Sequence, residues 1–317
     1  MPMNKIQFQP GLSMPGFIQH YGTEAQCEEA LVKARWPEGF RCPKCNHDAH
    51  CILPSKKRLT FQCNACHQQT SLIAGTLFQG TNLPLTTWFL AIYFISQAKT
   101  GLSALALKRY LGVSYPTAWL MHHKLMQAMA EREDHYLLSG NVQMDDAYLG
   151  GERSGGKAGR GSENKIPFVA AVSVDSEGHP LRVKLTPVPG FTIKAIKNWS
   201  KSHLSNDCSV LSDGLACFNG VSAAGYKHTP IIAGGRKPKE LPEFNWVNTV
   251  LGNVKTSLNG AYHAFDFSKY AHRYLAAIAY RFNRRFILKT LPERLLIAAV
   301  TTEPRPAAWL RLAEHSY

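Results

Sequence analysis

The sequence has no apolar run long enough to cross a membrane. Its most apolar run, Trp88 to Ile95, is too short to span a bilayer, and the residues around Lys5 contain no apolar core of signal-peptide length. We therefore expect a cytoplasmic protein without a membrane partner.

Acidic residues are also scarce. The 317 residues include 22 Asp and Glu against 36 Lys and Arg, which gives a formal net charge of +14. Such an excess favours a polyanionic partner such as nucleic acid, although many basic proteins have none. A hydrophobic share of 45% excludes a disordered chain, and the length leaves room for two or three domains.

Eight cysteines in a cytoplasmic chain are better explained as metal ligands or buried thiols than as disulfides. Four of them form two Cys-x-x-Cys pairs, Cys42 with Cys45 and Cys63 with Cys66. Two such pairs can place four thiolates tetrahedrally around one structural Zn²⁺, as in a zinc ribbon, and a redox pair is the alternative. Because four cysteines fill the site, the neighbouring candidates are not expected to bind; they are His47, His50, Cys51 and His67.

The segment from Gly101 to Lys124 predicts a helix, a turn centred on Gly112, and a second helix with Ser114 as its cap and Pro116 in its first turn. This layout is typical of a helix-turn-helix, and a plain helical hairpin is the alternative. In a helix-turn-helix the second helix enters the major groove. The side chains then expected near bases or phosphates are Tyr115, Thr117, His122 or His123, and Lys124.

The run from Val142 to Gly151 is apolar and β-prone, yet it carries Asp145 and Asp146 in its middle. A carboxylate is costly to bury in such a strand unless it is paired or binds a cation, so a metal site and a solvated strand end are the two explanations. Alternate residues of a strand face opposite sides. We therefore expect Asp146 to face away from Asp145 and not to be a ligand.

Two later segments favour the metal site. Cys208 to Gly214 predicts a short strand that ends on Asp213, and Trp246 to Ser257 predicts a helix with Asn248 and Lys255 two turns apart on one face. Two acids, a polar residue and a cation indicate metal-dependent phosphoryl transfer. Strands that follow one another and then alternate with helices predict a mixed α/β sheet flanked by helices.

Two weaker candidates complete the set. Residues 152–165 alternate glycine with basic residues, including Lys157 and Arg160, which favours either a loop that follows a sugar-phosphate backbone or a solvated hairpin loop. His228 is either an accessory site residue or part of the packing.

Taken together, these motifs resemble bacterial insertion-sequence transposases of the zinc-ribbon DDE type. The resemblance is carried by Trp36 to Cys45, by Thr70 to Thr76, by the helix-turn-helix, by the strand of Asp145 ending Tyr148-Leu149-Gly150-Gly151, and by Asn248 to His263, which closes with Gly260-Ala261-Tyr262-His263. It implies a ribonuclease H-like catalytic domain, DNA cleavage and strand transfer that depend on Mg²⁺ or Mn²⁺, and terminal inverted repeats as the bound DNA. Asp145 and Asp213 match the two metal-binding aspartates of the family.

The resemblance also sets the expected organisation and partners. We expect a helical segment at 1–35, a zinc ribbon at 36–80, a helix-turn-helix domain at 81–135 and the catalytic domain at 136–317. Transposases of this class are similar in assembling two protomers on paired ends, which implies a homodimer on double-stranded DNA, both transposon ends and target, in the bacterial nucleoid.

The third metal position departs from the Glu of most DDE enzymes. We place Asn248 there because it keeps the seven-residue step to Lys255, which would hold a phosphate or a base; Asn253 is the rival. An amide oxygen binds Mg²⁺ without contributing charge, so the second ion should be held more weakly. A transposase-derived DNA-binding protein without activity, and a structure-specific nuclease or resolvase, are the alternative functions.

Overall fold

The computed structural model of the chain describes residues 5–53, 58–151, 162, 164–232, 234–237, 240–262 and 265–313. Its contacts divide the chain into two compact units, one of residues 1–128 and 286–311 and the other of residues 129–285 and 312–317. We call the first the ribbon unit, because it contains the two cysteine pairs, and the second the sheet unit, because it contains a five-stranded sheet.

The ribbon unit combines helices with a small antiparallel sheet. The sheet consists of β1 (His50–Leu53), β2 (Thr60–Cys63) and β3 (Gln69–Ser71), in that order. The helices are α1 (Met14–Tyr21), α2 (Glu24–Arg35), α3 (Leu85–Gln97), α4 (Ala104–Leu111), the first part of α5 (Tyr115–Asp134), α10 (Leu291–Thr301) and most of α11 (Ala307–Leu312).

Local hydrogen bonds explain where α4 and α5 begin and end. The Ser103 hydroxyl accepts the N–H of Ala106 at the start of α4, and the helix ends at Gly112 with φ +67°, a left-handed conformation that glycine adopts without a Cβ clash. The Ser114 hydroxyl then accepts the N–H of Thr117 in the first turn of α5. The helix, the turn and the second helix therefore lie where the sequence predicts them.

The sheet unit is a mixed sheet with helices. Its strands are β4 (Asn141–Leu149), β5 (Ile166–Val174), β6 (Pro180–Pro187), β7 (Ser209–Asp213) and β8 (Lys227–Ile231), in the spatial order β6-β5-β4-β7-β8. β5 is antiparallel to β4 and β6, whereas β7 is parallel to β4 and β8. Its helices are α6 (Ile193–His203), α7 (Asn219–Ala223), α8 (Asn245–Ser257) and α9 (Phe267–Asn283).

Both faces of this sheet carry helices. Val142 and Met144 of β4 are buried in a core that includes Ile196 of α6. The intervening residue, Gln143, faces the other side, where its side-chain oxygen accepts the N–H groups of Trp246 and of the next residue at the start of α8, both at 3.1 Å. The predicted ribonuclease H-like mixed sheet flanked by helices is thus confirmed. No helix among the described residues is long and apolar enough to cross a membrane.

Candidate active site and metal centres

Two aspartates lie side by side on neighbouring interior strands of the five-stranded sheet, at the position where β7 ends. β4 and β7 are parallel neighbours whose register pairs Met144 with Ser212, so the next residues along, Asp145 and Asp213, meet where β7 ends. Carboxylate oxygens of Asp145, Asp146 and Asp213 all lie within 4.8 Å of one another. The structure therefore brings the two predicted aspartates together and adds a third acid.

Backbone N–H groups hold two of these carboxylates in place. The N–H of Asp146 donates to Oδ1 of Asp145 at 2.9 Å, and the N–H of Leu215 donates to Oδ1 of Asp213 at 3.2 Å. All three acids are half-buried. Three negative charges this close repel one another unless a cation lies among them. Carboxylate oxygens are the ligands that Mg²⁺ takes in proteins, so this donor set fits a divalent ion.

The expectation that Asp146 faces away from this cluster is wrong. Strand alternation separates neighbouring Cβ directions, but β7 ends at Asp213, so β4 extends past its parallel neighbour at the position of Asp146. No residue of β7 pairs with Asp146 at this position. The Asp146 side chain can therefore bend past the end of β7 and approach the other two carboxylates. A sequence signal existed, namely the Asp-Asp pair itself, but strand periodicity alone argued against it.

Asn248 and Lys255 lie on the solvent-exposed side of α8. The buried stripe of this helix consists of Val247, Val250, Val254 and Ser257. At about 100° per residue, Asn248 and Lys255 lie on one flank of the stripe, and the rival Asn253 lies on the other. Trp246 shares the flank of Asn253, and its indole N–H donates to the carbonyl of Gly178 at 2.6 Å.

That indole bond orients α8 over the sheet. Gly178 lies in the β5–β6 turn, at the end of the sheet where Asn141 pairs with Val174. Asp145 lies midway along β4, beside Asp213 at the end of β7. The flank of α8 that carries Asn248 and Lys255 points away from the turn.

The two Cys-x-x-Cys pairs form a second cluster, in the ribbon unit. Sγ of Cys45 lies 3.6 Å from Sγ of Cys63 and 3.4 Å from Sγ of Cys66, and Sγ of Cys42 lies 3.6 Å from Sγ of Cys66. A tetrahedron with Zn–S bonds of about 2.3 Å has S···S edges of about 3.8 Å. The four sulfurs therefore fit one zinc ion.

Both pairs are held in the same backbone conformation. The residue after each second cysteine has a positive φ, +61° at Asn46 and +58° at His67. The N–H of each donates to the carbonyl of the first cysteine of its pair, at 2.8 and 3.0 Å. These turns aim both thiols of a pair at one point. Of the neighbours considered as ligands, Cys51 is exposed and the ring of His50 packs 4.8 Å from that of Phe40, and the grouped ligand atoms are those of the four cysteines.

The structure contradicts two of the DNA contacts predicted on α5. Residues 121–130 are all buried; His122 is 1% exposed and Lys124 is 7% exposed. Nζ of Lys124 donates to the carbonyl of Leu77 at 2.8 Å, and burial lowers the pKa of this lysine. His123, the alternative to His122, is buried too. Residues 121–130 are buried on every side of the helix. Side chains that solvent cannot reach cannot contact the bases or phosphates of DNA.

The beginning of α5 is accessible, in contrast to residues 121–130. Tyr115 is 48% exposed, and Thr117 is half-buried. The preceding end of α4 exposes Lys108, Arg109 and Tyr110, which sequence reasoning missed although their Lys-Arg-Tyr order is a signal for nucleic acid. Lys157 and Arg160 lie outside the described residues.

His228 belongs to the support of the strand that carries Asp213. Its Nε2 lies 2.8 Å from the hydroxyl oxygen of Ser212, and burial lowers the pKa of the imidazole. Ser212 is fully buried and directly precedes Asp213. The histidine therefore fixes the end of β7.

Comparisons with known proteins cover both units. Residues 137–283 match the family model of the ISXO2-like transposase domain, and residues 22–69 match that of the transposase zinc-ribbon domain. An uncharacterised protein in transposable element ISH50 of Halobacterium salinarum is 25% identical over 220 residues, which are 64% of this chain and 71% of that protein. A chain in the crystal structure of a pre-cleavage Mos1 transpososome is similar over 94% of this chain and 98% of its own length, with 13% identity and a TM-score of 0.25.

Proposed function

The chain is an insertion-sequence transposase with a zinc ribbon and a DDE-type domain, and from that premise we propose that it cuts DNA at the ends of a mobile element and joins those ends to a target duplex. The observation that carries the proposal is that the Asp145, Asp146 and Asp213 carboxylates lie together where β7 ends beside β4. An inactive DNA-binding descendant would have no need to keep three mutually repelling acids together. The Asp145 experiment that opens the Discussion tests it.

The chemistry assigns a role to each acid. Divalent ions, when bound, supply activation of water or of a DNA 3′-hydroxyl and stabilise the leaving oxygen in an in-line displacement at phosphorus. Asp145 and Asp213 would hold these ions, and Asp146 would add a third carboxylate. The hydrogen bonds from Asp146 N–H and Leu215 N–H fix one oxygen of each main ligand and so orient the other.

Asn248 and Lys255 would act from α8. The anchoring of this helix by Gln143, two residues before Asp145 on the same face of β4, supports the position of Asn248 beside the carboxylates. Its amide oxygen would complete the metal site without adding charge. Lys255, two turns further along that flank, would bind a phosphate or a base of the DNA end.

Metal titration separates these ligands. Asp146→Asn removes a negative charge and Asn248→Ala removes an amide oxygen, and each should raise the Mg²⁺ concentration at half-maximal cleavage by on the order of tenfold. The matched control is Asn253→Ala, which removes the same amide from the opposite flank of α8 and should leave the titration unchanged. The assay is nicking of a labelled fragment that contains an element end, with Mg²⁺ and Mn²⁺ series. A shift for Asn253→Ala and none for Asn248→Ala would reverse the assignment.

For DNA binding we propose the exposed surface at the α4–α5 turn, formed by Lys108, Arg109, Tyr110, Tyr115 and Thr117. Among the described residues, no carboxylate pairs with the two bases. Exposed cations beside aromatic side chains suit phosphates and bases. A groove contact limited to this turn fits the burial of residues 121–130 of α5. Lys157 and Arg160 are proposed as further backbone contacts.

A salt titration tests this surface. The double substitution Lys108→Gln with Arg109→Gln should weaken binding of the element end. The negative slope of log K against log salt should become shallower by about 2, because each phosphate contact contributes about −0.9 to it. Lys124→Gln is the control, since its ammonium binds the Leu77 carbonyl and its loss should lower the melting temperature without changing the slope. Equal slopes for the parent and the double variant would remove the surface from the DNA interface.

The remaining parts of the proposal concern assembly and place. We propose a homodimer on paired ends in the bacterial nucleoid, and the net charge of +14 supports only the DNA-binding part of this proposal. Release of nicks without joined products in the same assays would favour a structure-specific nuclease instead. Binding of ends without any nicking would favour an inactive DNA-binding protein.

A further inference from the structure

Helix α6 carries a row of lysines on its outer face. Lys194, Lys197 and Lys201 follow one another at steps of three and four residues, which places them on one side of the helix over about 10 Å. The opposite side, with Ile196 and Trp199, is buried. The helix contains no acidic residue. We call these three side chains the lysine row.

The lysine row begins near the end of the sheet that β4 reaches after the carboxylates, which we call the catalytic end. β6 ends at Pro187, which pairs with Phe168 of β5, and Phe168 pairs with Ala147 of β4. β6 therefore ends at the catalytic end of the sheet, and α6 begins a few residues later. The ring of Phe191, just before the helix, lies 5.4 Å from the ring of Tyr148, two residues after Asp146. The first turn of α6 therefore lies at the end of the sheet that β4 reaches after Asp145 and Asp146, on the face of Tyr148, and the row leads away from that end.

The charges of the row are not neutralised locally. Among the residues that the structure describes, no carboxylate lies within ion-pairing distance of any of the three lysines. An ordinary solvated helix face carries both signs of charge at these spacings, because pairs of opposite charge stabilise the helix and like charges destabilise it. A face of lysines alone costs helix stability in the free protein and suits a polyanion.

We propose that the lysine row binds the phosphate backbone of the target duplex and holds it at the catalytic end of the sheet for strand transfer, an inference that rests on the proposed function. Lysine presents a point charge, whereas sequence reading uses the planar donors of Arg and the amides of Asn and Gln. A row of lysines therefore favours DNA of any sequence. That property suits the target, while the element end needs a reader of sequence.

The test is the triple variant Lys194→Gln, Lys197→Gln and Lys201→Gln in the full chain. It should bind and cut element ends as the parent does. Capture of a duplex without element ends by the end-bound protein should depend less on salt, with the negative slope of log K against log salt shallower by about 3. The matched control is Lys33→Gln, Lys99→Gln and Lys289→Gln, which removes the same charge from exposed positions in the ribbon unit and should keep the slope. Circular dichroism checks that α6 persists.

The outcomes are distinct. An unchanged slope and unchanged strand transfer in the α6 triple variant would overturn the inference. Loss of end binding or end cutting in that variant would also overturn it, because the row would then serve the element end. Failure of the parent itself to cut ends would reject the proposed function, and direct binding of a plain duplex by parent and variant would still measure the row, since that readout needs no catalysis.

Discussion

Replacement of Asp145 by asparagine should abolish end cutting and strand transfer while leaving end binding intact. Asparagine keeps the size of the side chain but removes one charge from the three-carboxylate cluster. Metal ions supply several kcal/mol of transition-state stabilisation, so we expect a loss of about a thousandfold or more. Asp213→Asn should have the same effect, because the two residues meet across the β4–β7 pair. The measurement is nicking and joining on a supercoiled plasmid with labelled ends.

The control for this experiment is Asp207→Asn. Asp207 is exposed in the loop before β7, where its carboxylate accepts a hydrogen bond from Ser205, and the substitution changes the same charge outside the cluster. It should keep full activity. Joined products from Asp145→Asn at the parental rate, with the control also active, would show that the carboxylate cluster is not the active site.

Replacement of Cys63 by serine should unfold the ribbon and abolish end binding. Cys63 is fully buried and its sulfur lies 3.6 Å from that of Cys45. Structural zinc contributes about 10–16 kcal/mol of apparent binding free energy in small zinc domains, and that free energy stabilises the fold. Three small strands and few buried side chains cannot replace it. We expect the zinc content to fall from one ion per chain to near zero, with loss of protection from proteolysis within the ribbon.

Cys51→Ser provides the matched control in the same small sheet. Cys51 lies on β1, is exposed, and is outside the sulfur cluster. Its replacement should keep one zinc per chain and normal end binding. The measurement is zinc release by a colorimetric chelator together with thermal melting. If chelation left the melting curve and end binding of the parent unchanged, the four cysteines would have no structural metal to hold.

Much of the local structure could be predicted because its causes lie within a few residues. Ser103, Gly112 and Ser114 fix the ends of α4 and α5 through side-chain caps and a left-handed glycine. Such signals act through hydrogen bonds between neighbours along the chain, so the rest of the fold does not override them.

The errors arose where distant packing decided. His122 and Lys124 have the spacing and the chemistry of groove contacts, yet α5 is enclosed along residues 121–130. Amphipathic periodicity reveals which face is buried only when one face is buried. Asp146 was excluded by strand alternation, but its carboxylate lies with those of Asp145 and Asp213, beyond the point where β7 ends. A local sequence pattern predicts neither the burial of a helix on all sides nor how far one strand extends past its neighbour.

The chemistry of the chain follows from its residue types and short-range periodicity: four cysteines at ribbon spacing, acids on two predicted strands, and a surplus of 14 positive charges. The tertiary structure sets which groups lie together and which stay exposed. Examples are the third carboxylate, the exposed flank of α8 that carries Asn248, and the lysine row of α6. The physical reason is that proximity and burial depend on strand order and on helix packing between segments far apart in the chain, where no neighbour in sequence carries the information.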